Sequence, residues 1–370
     1  MSKWRLYYNI DSIGKDQALG DGHLKYKIKN WLELSVFTDN LGKMLNDGLM
    51  FDKAFDIAGK HLASPVNRKL AVDLKEVFLG QADSRQLARY DLPQFYLALF
   101  KCGQETGKWP RALRDAAAFM YQIAPVIYRL QRCWQFVIFA FIINSVFRWI
   151  FYRQSQLLEL MILAAIILLP IYSEKFRLYR DMLATRLFFI GKWIKQLSLM
   201  QFFVCLEIAY DSTLNVREMF LHSLSAIDNR YLRKQMLASV EQIDKGQSFA
   251  AALQAVDFVP GGMVAVILPY EESGKLADCF HELVSQLKQI VEAKLEVIKY
   301  ASAGIVINSA VLFPLTLIIP YFLPKNMLWV FYLIMADLMG FVPLACAKAI
   351  FEEYSKKAAG LNLWYKNLET

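Results

Sequence analysis

The stretch WQFVIFAFIINSVFRWIFY, residues 134–152, is followed after four residues by LLELMILAAIILLPIYS, residues 157–173. A helix needs roughly 20 mostly apolar residues, each rising about 1.5 Å, to cross a hydrocarbon core. Both segments approach that length, and so do residues 303–322 and 327–347. Arg153 and Gln154 lie in the first short break, and residues 323–326 form the second. Each pair therefore reads as a tight transmembrane helical hairpin, covering 134–173 and 303–347, that returns the chain to its starting side.

The rest of the composition agrees. Of 370 residues 56% are hydrophobic and 21% charged, which excludes disordered and collagen-like classes. Lysine and arginine number 42 against 34 acids, a formal charge of +8. Nucleic acid, an anionic membrane surface and an acidic partner all fit such an excess. The positives cluster beside the apolar windows: Arg129 and Arg132 before the first, Lys175, Arg177 and Arg180 after the second, Lys294 and Lys299 before the third, Lys348 and Lys356 after the fourth. Cytoplasmic loops retain such residues. Both polar regions and both termini are thus expected in the cytoplasm, and no nucleic-acid partner is expected. The N-terminal residues are too polar for a secretory signal, so insertion is expected to use the internal segments. Cys102, Cys133, Cys205, Cys279 and Cys346 are odd in number and widely spaced, implying no disulfide framework.

The two polar regions repeat each other. Phe37, Leu41, Leu49 and Phe55 correspond to Phe202, Leu206, Leu214 and Phe220; farther on, Gly80-Gln81 matches Gly246-Gln247 and Pro93 matches Pro260. The string GQETGK from Gly103 then matches YEESGK from Tyr270. Apolar residues recur every three or four positions, as in Leu276, Phe280, Leu283, Leu287 and Ile290, with little strand-like alternation. The predicted fold is an all-α membrane protein with two repeated cytoplasmic helical-bundle domains, each followed by a hairpin. Its segments are an N-terminal arm (1–30), helical domain 1 (31–130), the first hairpin, a basic linker with helical domain 2 (174–300), the second hairpin and a cytoplasmic tail (348–370). Asn46-Asp47-Gly48 and Pro260-Gly261-Gly262 mark turns.

These residues resemble the type II secretion F-domain family, the inner-membrane platform proteins of type IV pilus and type II secretion machines. The resemblance rests on Phe37 with Leu41, Gly246-Gln247-Ser248, Phe258-Val259-Pro260 and above all Glu271-Glu272-Ser273-Gly274-Lys275-Leu276, similar to the family's Glu-x-Ser-Gly-x-Leu signature. The first copy departs from it with Gln104, Thr106 and Trp109. Many family members have three spans, so a fourth is a further departure. The resemblance implies a bacterial inner-membrane location and a non-enzymatic platform without cofactors. Its implied partners are a cytoplasmic hexameric assembly ATPase, pilin-like subunits, other inner-membrane assembly proteins, the lipid bilayer and further copies of the chain. The repeated turns, with Gly103, Glu105 and Gly107 in one copy and Glu271, Glu272, Ser273 and Gly274 in the other, are the candidate interaction residues. Gly274 is expected to open a long helix into the membrane, with Ser273 as its cap and the two glutamates just ahead of its positive end.

Chemical sites fit less well. Gly103 to Lys108 superficially resembles a phosphate loop, but three residues rather than four separate its glycines and Trp109 replaces the required hydroxyl. The competing reading is a helix start, capped by Thr106, that tolerates Pro110 in its first turn. His281-Glu282 begins an HExxH-like string, yet Ser285 stands where the second imidazole is needed. No catalytic or metal site is expected. Asp337, Asn144 and Asn308 are polar residues inside the apolar windows and so are costly there. An ion path through Asp337 would suit the alternative, a small membrane transporter with repeated halves; a helix interface that holds Asp337 is the preferred reading, because one isolated carboxylate is not a relay.

Overall fold

In the computed structural model the described residues are 30–82, 84–90, 92–125, 128, 174–186, 190–210 and 214–296. They are all-helical, without a β-strand among them. Residues 1–29 of the N-terminal arm, all four apolar windows with Asp337, Asn144 and Asn308, and the tail fall outside them. Among the described residues no helix is long and apolar enough to cross a membrane.

Contacts divide the chain into two units. One takes Met1–Tyr121, Gln201–Asp228 and Ile243–Lys245; the other takes Gln122–Met200, Asn229–Gln242 and Gly246–Thr370. Residues 201–228 group with the first of these units.

The first unit begins with α1 (Trp31–Asn46), α2 (Phe51–Lys60) and α3 (Pro65–Phe78). Asn30 starts α1 by accepting the Glu33 N–H at 3.1 Å, and Ser64 precedes α3 with Pro65 in its first turn, where a missing N–H is harmless. A 3₁₀ segment, Ser84–Arg89, leads to α4 (Gln94–Thr106), and residues 109–125 are helical as α5. Period-four burial on α1 points Leu34, Phe37, Thr38 and Leu41 inward. The core is rich in aromatics: Phe51 stacks on Phe78 with centroids 3.4 Å apart, and Trp109 meets Phe78 at 4.2 Å and Phe100 at 4.9 Å. Such pairs add about 0.5–1.5 kcal/mol each beyond the area they bury. Tyr96 is buried with its hydroxyl 3.3 Å from Thr38 Oγ1, and burial pushes the phenol up to about 12.

Farther along come α6 (Glu174–Arg186), α7 (Ile190–Tyr210) and α8 (Val216–Ser225). They are followed by α9 (Arg230–Asp244), the short α10 (Phe249–Gln254), α11 (Gly261–Glu272) and a helix α12 over 276–296. Within the second unit, α12 buries Cys279, Phe280, Leu283, Leu287 and Val291 on one face, and Phe280 packs on Phe249 at 5.1 Å. Leu276 and Ile290, at the edge of that face, are half-buried. Helix starts recur at fixed distances: α2 and α8, α3 and α9, and the 3₁₀ segment and α10 each begin 165 positions apart, α4 and α11 167 apart.

Candidate interaction site at the repeated turns

Both turns are built by a glycine in the left-handed region. Gly107 has φ 72° and Gly274 φ 71°. In the second turn the N–H of Lys275 reaches back to the Tyr270 carbonyl at 2.8 Å and that of Gly274 to the Glu271 carbonyl at 3.1 Å. These two bonds satisfy carbonyls that the end of α11 would leave open. Gly274 thus closes α11 rather than opening α12, which corrects the sequence expectation. Ser273 is likewise no N-cap, because its hydroxyl donates backward to the Tyr270 carbonyl at 3.2 Å. In the first turn Thr106 Oγ1 donates to Cys102 O at 2.7 Å and accepts at 3.3 Å the N–H of Lys108, the residue just before α5. Pro110 does fall in the first turn of α5.

Glu271 is also placed differently from the expectation. It lies in the last turn of α11, an end that by itself disfavours a negative charge. Its carboxylate accepts the N–H groups of Phe249 at 2.5 Å and Ala250 at 2.9 Å, the first two residues of α10. The charge therefore serves the positive end of a neighbouring helix instead of its own. Glu272, Ser273, Gly274 and Lys275 form an exposed run beside it. Tyr270 is held by Glu282, whose carboxylate lies 3.1 Å from the phenol and raises its pKa.

The first copy uses its acid elsewhere. Gln104 is exposed, and Glu105 Oε2 lies 2.7 Å from His222 Nε2 on α8. Nearby, Cys102 Sγ donates to Cys205 O at 3.8 Å and Arg111 forms an ion pair with the buried Glu207. The first turn is consequently anchored to α7 and α8 within the first unit. A side-chain hydrogen bond with Cys102, together with burial, holds the Cys205 thiol well above its usual range, so it stays neutral. Gly103 belongs to the interior of α4, not to a loop; a Cβ there would come within 3.1 Å of Trp109 and of Ala112. Such a packed helix offers no ring of free amides to a phosphate. Trp109 fills the aromatic core just described.

The residues that sequence reasoning missed are acids that span helices. Asp228 Oδ1 accepts the N–H of Gln94 at 2.7 Å and of Phe95 at 3.3 Å, while Oδ2 accepts from Gln201 Nε2 at 2.6 Å. Glu33 on α1 takes the N–H of Ser64 at 3.1 Å and Asn67 Nδ2 at 2.7 Å, and Asp181 on α6 takes that of Arg230 at 3.3 Å. Helix N-termini expose unpaired N–H groups, and a carboxylate from any nearby element can meet them. No local spacing signals such a partnership, since donor and acceptor lie up to 134 residues apart. Among the described residues no group of three His, Cys, Asp or Glu side chains is arranged to hold a metal ion. What the second turn presents to solvent is a short run of mixed charge, Glu272 and Lys275 flanking Ser273 and Gly274. No protein-family model matches the chain, and no curated protein matches it.

Proposed function

We propose that this chain is a multi-pass platform protein of the bacterial inner membrane, coupling a cytoplasmic hexameric ATPase to the insertion of pilin-like subunits in type IV pilus biogenesis or type II secretion. What supports the reading is that four pairs of helical segments begin 165 or 167 positions apart, that Gly107 and Gly274 both take a left-handed conformation, and that a pair of apolar sequence windows lies beyond each of these turns. A platform needs stiff levers joined to membrane segments. Helix α12, buried along one face and described as far as residue 296, six residues short of the 303–322 window, fits that requirement as an arm. Helix α6, beginning directly after residue 173, fits it on the other hairpin.

Two measurements test the proposal. Single-cysteine labelling of intact spheroplasts should reach only residues 153–156 and 323–326 from outside, and labelling at Ser355 would replace four spans by three. The full chain in detergent should copurify with the assembly ATPase encoded beside it, and deletion should abolish pilus assembly or secretion. Solute uptake by the reconstituted chain, lost in Asp337→Asn, would instead establish the transporter.

A further inference from the structure

We infer that α6 is a surface-docking helix whose outer face binds anionic phospholipid headgroups. The inference rests on the membrane reading above and adds a binding surface to it. The orientation of α6 is fixed by its inner side. Asp181 Oδ2 accepts the Arg230 N–H at 3.3 Å, the Asp181 carbonyl accepts from Asn229 Nδ2 at 3.3 Å, and Thr185 is buried one turn later. At 100° per residue, positions 179, 183 and 186 then project from the opposite side. There Tyr179 is 64% and Leu183 62% exposed, and Arg186 is exposed beside them. Arg180, whose guanidinium holds Asp181 Oδ1 at 3.1 Å, remains 59% exposed on the flank.

An exposed tyrosine and leucine bordered by arginines suit the boundary between headgroups and acyl chains: the apolar groups enter and the cations meet phosphate. The helix carries Lys175, Arg177, Arg180 and Arg186 against Glu174 and Asp181, and Asp181 is turned inward. Its first residue follows the second apolar window directly, so the chain delivers this face to the bilayer surface. A basic protein is excluded as occupant by charge. An acidic protein is not favoured either, since the position beside the apolar window makes lipid the adjacent surface.

The test uses the full chain carrying Leu183→Cys labelled with an environment-sensitive fluorophore, with the labelled wild type as background. It is reconstituted in phosphatidylcholine vesicles with and without an equal part of phosphatidylglycerol. The probe should shift to the blue in the mixed vesicles and be quenched by brominated lipid. Arg186→Glu combined with Arg180→Gln should abolish the shift while leaving helicity unchanged. Water-like emission in both vesicle types, from protein that resists alkaline carbonate extraction, would overturn the inference and leave the membrane reading standing. Protein extracted by carbonate would overturn both. A shift independent of phosphatidylglycerol, or surviving the charge changes, would refute the role of anionic headgroups.

Discussion

Glu271 holds Phe249 by a carboxylate to N–H bond of 2.5 Å, so the last turn of α11 caps the first turn of α10. Glu271→Ala leaves the Phe249 and Ala250 N–H groups without their charged acceptor. A hydrogen bond to a charged group contributes about 1.5–3 kcal/mol. Amide hydrogen exchange across 249–254 should therefore speed up by roughly one to two powers of ten. Glu271→Gln keeps one neutral acceptor and should show a smaller effect, and Glu271→Lys should at least equal the alanine change.

Gly274 and Gly107 yield a second expectation. Both have φ near +71°, and a Cβ at either would meet nothing within 4 Å. Any loss on substitution is therefore backbone strain, about 1–2 kcal/mol for an L-residue. Asparagine tolerates this conformation best and β-branched residues worst. Thermal melts should rank Gly274→Asn above Gly274→Ala and both above Gly274→Val, with the same order at Gly107. Equal melts for the three would remove the conformational argument.

Much of this fold was legible because its signals are local. The Asn46-Asp47-Gly48 turn ends α1 with Gly48 at φ 82°, and the Phe37 and Phe55 spacing places two rings 6.2 Å apart, as Phe202 and Phe220 lie 5.4 Å apart. Pro260-Gly261-Gly262 was legible only in part, since Pro260 is the N-cap and both glycines begin α11. The direction of the Gly274 turn was misread because a glycine between two helices serves equally as the end of one or the start of the next by sequence. The grouping of residues 201–228 with the first unit had no sequence signal at all. It depends on contacts such as Asp228 with Gln94 and Glu105 with His222, which join positions more than a hundred residues apart.

The buried cysteines lead to a chemical prediction. Burial pushes the Cys279 thiol up to about 12, and Cys205 is raised well above its ordinary value by Cys102 and by burial. Because the thiolate is the reactive form, both should resist N-ethylmaleimide in the folded chain at pH 8 and react once denaturant is added. Mass spectrometry of the tryptic peptides separates them. Since these thiols titrate near pH 8.5 when unfolded, their neutral burial stabilises the fold fully below that pH. That contribution declines as the pH rises from there through the folded value, so stability should fall in alkali and not in mild acid on their account.

Asp228 joins the start of α4 to Gln201 on α7 and so fixes a contact within the first unit. Asp228→Ala should destabilise that unit by about 2–3 kcal/mol, because it removes a charged cap and leaves buried-side donors unpaired. A double-mutant cycle with Gln201→Ala should show non-additivity of at least about 0.5 kcal/mol, as expected for residues in one network. Additive losses would mean that the two side chains act independently.

The remaining prediction separates scaffolding from partner contact at the acidic turn. Glu271 and Glu272 are adjacent, yet only Glu271 is bonded to α10 while Glu272 faces solvent. Reversing Glu272 alone leaves the α10 cap in place, and a surface change of this kind usually alters stability by no more than about 0.5 kcal/mol. In fact Lys is the better charge at the end of α11, where the helix dipole is negative. Glu272→Lys should therefore accumulate to normal levels. In the proposed platform, the same variant should lose copurification with the ATPase and fail to assemble pili or secrete, because the introduced lysine would repel a basic partner surface. A charge swap on that partner should restore assembly. Wild-type activity in Glu272→Lys would reject the contact, whereas defects confined to Glu271 variants, in step with loss of protein, would assign the turn to scaffolding.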